Sequence, residues 1–137
     1  MKKFFSAALA MAAAFVAPAM AQTYPTKPVT MIVPFAAGGP TDIVARFVAE
    51  HMSRTLGQQV VIENVAGAGG TTGITRAAQS TPDGYTIMMG HMGTHGAAPA
   101  LYPGLKYDPT TIIPIGIAAS TPIIIVASMK FQPKTLQ

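Results

Sequence analysis

Side chains able to do chemistry are few here: three histidines and five acids, with no cysteine. An imidazole titrates near neutrality, so His91 or His95 could serve as a general base. Four residues apart, they would share a metal only on one helix face. Gly90, Gly93 and Gly96 make their segment a loop, and no acidic third ligand lies near in sequence. A loop or ligand-contact histidine is the better reading, and no metal is expected. The acids Asp42, Glu50, Glu63, Asp83 and Asp108 fall at a helix start, a helix face, a strand end and turns. Paired carboxylates for hydrolysis are therefore poorly supplied. There is no G-x-S-x-G elbow and no G-x-x-x-x-G-K-[ST] loop. Gly67 to Gly73 approaches a dinucleotide fingerprint but is out of register, with Thr72 where glycine is needed. No cofactor is expected.

What remains able to do chemistry is the backbone. Three small-residue loops stand out: Ala36-Ala-Gly-Gly39, Asn64-Val-Ala-Gly-Ala-Gly-Gly-Thr-Thr-Gly73 and Gly90-His-Met-Gly-Thr-His-Gly96. Such loops let a ligand approach main-chain N–H groups closely. Where a helix follows, four unpaired N–H groups and a partly positive dipole end add to them. An anion is the natural guest.

Each loop must be positioned by a strand before it and a helix behind it. Val29 to Val33 is an apolar, β-rich run that Pro34 ends. Helical spacing then places Ile43, Val44, Phe47, Val48, Met52 and Leu56 on one face. Glu50 and Arg54 form a favourable i,i+4 pair, and Gly57 stands where a helix ends. Asp42 reads first as a cap of this helix, with dipole compensation and ligand contact as alternatives. Val60 to Glu63 and Tyr85 to Met89 read as further strands, with helical pieces at Ile74 to Ala78 and around Ala97 to Leu101. Two more β-type runs, Ile112 to Ile117 and Pro122 to Ala127, follow, and Phe131 to Gln137 looks like a linker. Strand, loop and helix repeating in this way predict a parallel sheet with helices on its faces. All three loops then lie at the carboxyl ends of strands, where open α/β sheets hold ligands.

With 137 residues the chain supports one modest core. Lys2 and Lys3, the apolar stretch Phe4 to Val16 and Ala19-Met-Ala21 form a secretory signal, with cleavage expected after Ala21. Its apolar core is short of the ~20 residues that span a bilayer. Cleavage would halve the formal net charge of +4. The remaining cations are scattered, which gives no support to a nucleic-acid partner.

The exported leader, Tyr24-Pro-Thr-Lys-Pro28, Val33-Pro-Phe-Ala-Ala-Gly-Gly-Pro-Thr-Asp42, Glu63 to Gly73, Pro82-Asp-Gly-Tyr85 and Leu101-Tyr-Pro103 occur in one order. Together they resemble the Bug family, the periplasmic substrate-binding proteins of tripartite tricarboxylate transporters. The resemblance implies an α/β lobe of periplasmic binding protein type, with a mostly parallel sheet and helices on both faces. It also implies capture of a small organic carboxylate, without catalysis, for the membrane components of the transporter. Carried onto this sequence, the ligand-binding positions are Ala37, Gly38, Gly39, Pro40, Thr41, Asp42, Gly67, Ala68, Gly69 and Gly70, with Thr94 and His95 from the third loop. The expected organisation is a signal peptide over 1–21, a first lobe over 22–117, and a crossover into an incomplete second lobe over 118–137. Two other readings stay open on the residues alone. One is an exported α/β enzyme with a histidine base, and the other is a truncated, non-functional remnant of a binding protein.

Overall fold

Val29–Val33 forms β1, the middle strand of a three-stranded, all-parallel sheet in the order β2-β1-β3 in the computed structural model. The structure describes residues 24–122, 124–126, 128 and 130. The expected signal peptide, its cleavage site and the linker over 131–137 lie outside the described residues.

Val29 pairs with Val60 and Val33 with Asn64 of β2 (Val60–Asn64). On the other side Thr30 pairs with Thr86 and Ile32 with Met88 of β3 (Thr86–Met88). Helices cover both faces of this middle strand, which explains why β1 is apolar nearly throughout. Val29, Met31 and Val33 point to one face, where Ala45 and Ala49 of α1 (Pro40–Leu56) complete a core with Val60. Ile32 points to the other, toward α2 (Thr71–Ala78), and both Ile32 and Ile74 are fully buried. The parallel sheet with a helix on each face is the architecture expected from the sequence.

Several details differ from the sequence reading. Helix α1 ends at Gly57 as expected, in the left-handed region at φ 68°, its N–H bonded to Ser53 O at 3.1 Å. Its buried stripe, however, runs through Asp42, Ala45 and Ala49, with Val48, Met52 and Leu56 beside it. Ile43 is exposed, and Phe47 is 71% exposed. Two alanines let the helix lie close on the sheet, which turns the larger residues outward. Helix α2 starts at Thr71, so Gly73 belongs to the helix rather than to the second loop. A wide π-helical turn, Gly93–Ala97, leads into the short α3 (Ala98–Leu101). The expected strands at Ile112 to Ile117 and Pro122 to Ala127 are not formed at their described residues, and Ile117 is 91% exposed. A strand needs a neighbour for its N–H and C=O groups, and none among the described residues reaches this stretch.

Candidate ligand-binding site

The first loop leaves β1 at Pro34 and enters α1 through Gly39, with Pro40 at the first helical position. Gly38 has φ 80°, a left-handed turn suited to glycine. It aims its N–H at Asp42 Oδ2, 2.8 Å away. The same oxygen accepts from Arg46 Nε at 2.8 Å, and Oδ1 accepts from Asn64 Nδ2 at 2.9 Å. Asn64 also donates to Phe35 O at 3.1 Å, so its amide ties the end of β2 to the loop after β1. Asp42 is 1% exposed. It does not cap α1: the capping position is Gly39, which makes no side-chain bond. Asp42 reaches back from the third helical position instead, to the N–H of the residue before the capping position.

These donors hold the Asp42 carboxyl well below the usual carboxylate range, Arg46 first, then Gly38 N–H, then the Asn64 amide. A depressed folded-state value sets the sign of the pH dependence. The contribution to stability is complete above the unfolded value of about 4 and is lost as pH falls through the folded one. Thermal melts are therefore expected to lose midpoint from about pH 4 downward. Asp42→Asn should lie below the wild type at pH 7 and converge on it in acid. Parallel curves at all pH values would remove this role.

The second loop is wound tightly. Gly67 to Gly70 have positive φ throughout, Ala68 at 46° included. Gly70 N bonds Gly67 O at 2.8 Å, and Thr71 Oγ1 bonds Ala68 O at 2.9 Å. Gly70 is where the three loops meet. A Cβ there would stand 2.7 Å from Thr94 Cγ2 and 3.2 Å from the Phe35 ring. Tyr102, from beyond the third loop, leans over Gly69, its hydroxyl 3.0 Å from where a Cβ would lie.

In the third loop Thr94 is 0% exposed. Its hydroxyl donates to His91 O at 2.9 Å, and its carbonyl accepts from the Tyr107 hydroxyl. His95 Nδ1 lies 2.8 Å from Thr94 Oγ1. The His91 ring stands edge-on to Phe35, with centroids 5.2 Å apart.

The structure thus gathers the sequence-predicted residues at the carboxyl edge of the sheet and sorts them into two kinds. Asp42, Gly70 and Thr94 are buried and hold the loops together. Ala37, Gly38, Pro40, Gly67, Ala68 and Gly69 are exposed, with Gly39, Thr41 and His95 half-buried. The exposed part is mostly main chain, which suits anion capture without net charge. Sequence reasoning missed Arg46 and Asn64. Arg46 was findable, four residues after Asp42 on one helix; Asn64 at the end of β2 carried no such signal. The rim is open rather than enclosed. A cleft of about 490 Å³ lies at the opposite edge, lined by Lys27, Thr30, Asp83 and Tyr85. Beside α2, Thr71, Thr75, Tyr102 and Lys106 line a groove of about 320 Å³. Among the described residues no three His, Cys, Asp or Glu side chains are grouped to hold a metal.

A parallel α/β lobe with its loops gathered at one sheet edge is the architecture of periplasmic binding proteins. The signature of the tripartite tricarboxylate transporter family receptor matches residues 44–137, and the chain belongs to that family. Protein BugT of Bordetella pertussis is 37% identical over 126 residues, 90% of this chain and 39% of its own length. Among solved structures, MatC from Rhodopseudomonas palustris with bound malate is 57% identical with a TM-score of 0.61, covering 63% of this chain and 29% of MatC. A second R. palustris protein, solved with adipate, is 40% identical with a TM-score of 0.62, covering 64% of this chain and 29% of that one. The chain thus spans well under two thirds of the length of these relatives.

Proposed function

We propose that this chain forms the first ligand-gripping lobe of a periplasmic solute-binding protein, which captures a small organic carboxylate and delivers it to the membrane components of a tripartite tricarboxylate-type transporter. Binding, not turnover, is its work. The observation that carries this reading is the meeting of three loops around Gly70, with exposed main chain at the start of α1. Thr41 N–H, on a half-buried residue, opens that helix without an acceptor among the described residues. A carboxylate accepts hydrogen bonds only, so such donors hold it without a cation. Ala37 to Asp42 and Gly67 to Gly70 form the grip, with Thr94 and His95 behind them. Malate and adipate, the acids held by two relatives, are both dicarboxylates, and they set the substrate class proposed here.

Isothermal titration of the purified protein with malate and adipate, against glucose and a magnesium salt, tests the reading. Saturable one-site binding of at least one acid is the expected result. Binding of the sugar or the cation alone would overturn it.

A further inference from the structure

We infer that His91, rather than His95, supplies the side-chain N–H of the carboxylate site, an assignment that rests on the proposed carboxylate-binding function. The argument is a count of hydrogens. Thr94 Oγ1 has one hydrogen, and His91 O, 2.9 Å away, can only accept it. The same oxygen accepts from His91 N at 3.2 Å. Given to His91 O, that hydrogen leaves Thr94 Oγ1 to accept from His95 Nδ1 at 2.8 Å. In that arrangement the neutral His95 ring is protonated on Nδ1, and its Nε2 carries a lone pair.

The opposite holds for His91. Its Nδ1 lies 3.0 Å from Gly93 N, a group that can only donate. Nδ1 is the acceptor, so the hydrogen of the neutral ring sits on Nε2. That N–H has no partner among the described residues. The ring is exposed, at the carboxyl end of β3 just past Gly90, and is braced edge-on against Phe35 of the first loop. A carboxylate offers lone pairs only. It is met by a hydrogen at His91 and by a second lone pair at His95. Two neighbouring histidines thus have unlike roles: His91 donates to the ligand, and His95 secures Thr94.

Side-chain length makes the assignment testable. In His91→Asn the shorter amide still accepts from Gly93 N–H near the Nδ1 position but cannot reach the Nε2 position. In His91→Gln the amide N–H reaches the Nε2 position but gives up the Gly93 contact. Titration with malate and adipate is expected to show about tenfold or greater weakening for Asn, the scale of one hydrogen bond to a charged group. For Gln the affinity should stay within about threefold of the wild type. A purely structural histidine would give the reverse order, and that order, or equal affinities in the two variants, overturns the inference. Tautomers are read separately, from long-range ¹H–¹⁵N correlations of the ligand-free protein. Nε2–H at His91 with Nδ1–H at His95 is expected, and exchanged tautomers overturn the assignment. A wild-type protein that binds neither acid while showing these tautomers would instead overturn the carboxylate function.

Discussion

Replacing Asp42 with alanine is expected to lower the thermal midpoint by about 10 °C and to abolish carboxylate binding. The substitution strips three donors of their shared acceptor: Gly38 N–H, Arg46 Nε and the Asn64 amide. The Arg46 side chain is half in solvent and can rehydrate. Gly38 N–H and Asn64 set the path of the first loop and cannot relax so easily. Loss of an acceptor from partly buried donors costs more than the bond itself contributed. Asp42→Asn is the sharper variant, since it keeps the shape. Its Nδ2 would point two hydrogens where both carboxylate oxygens of Asp42 only accept. Circular dichroism melts and calorimetric titration of both variants provide the check. An Asn variant that melts and binds like the wild type would mean that shape, not the carboxylate, organises the loop.

Gly73→Ala is expected to destabilise by about 2 kcal/mol, although the position is helical and alanine is the better helix former. Propensity alone would stabilise the variant by about 1 kcal/mol. Packing opposes it. A Cβ at residue 73 would stand 2.7 Å from Val65 O and 2.8 Å from Pro34 Cα. Both neighbours are backbone, one at the end of each of two paired strands, so neither can swing aside as a side chain could. Overpacking a tight site typically costs about 1–3 kcal/mol, and a double backbone clash belongs at or above the upper end. Equilibrium urea unfolding reads the sign directly. A rise in midpoint would show that α2 can lift from the sheet at little cost.

Much of the framework was legible because it depends on local signals. The apolar run of β1, the breaker at Pro34 and the terminator at Gly57 act within a few residues of themselves. Three strand–loop–helix units then implied a parallel sheet, and motif order pointed to the family. The strand order was not legible, since nothing local says that β1 lies between the other two. Nor was the burial of α1, where periodicity gives equal standing to Phe47 and Met52. The small size of Ala45 and Ala49 decides which side approaches the sheet. Asp42 shows a different limit. Its type and place suggested a cap, but its partners come from the preceding turn, its own helix and the end of β2. Only the fold brings Asn64 to it. The isoleucines over 112–117 have the composition of a strand, and composition cannot provide the neighbour that a strand requires.

The central place of β1 also bears on how the molecule is made. A ribosome delivers β1 first, yet β1 is the strand whose two edges are closed by partners from farther along, Val60 to Asn64 and then Thr86 to Met88. No hairpin can shelter it meanwhile, because parallel neighbours need a whole helical crossover between them. Val29 to Val33 must therefore emerge as an apolar segment that is fully unpaired until β2 follows, and its second edge waits until Thr86 to Met88 has been synthesised. Contacts so distant in sequence form slowly, and an unsatisfied strand edge is open to other chains throughout the delay. The strand most protected in the finished protein is thus the one longest at risk during its birth.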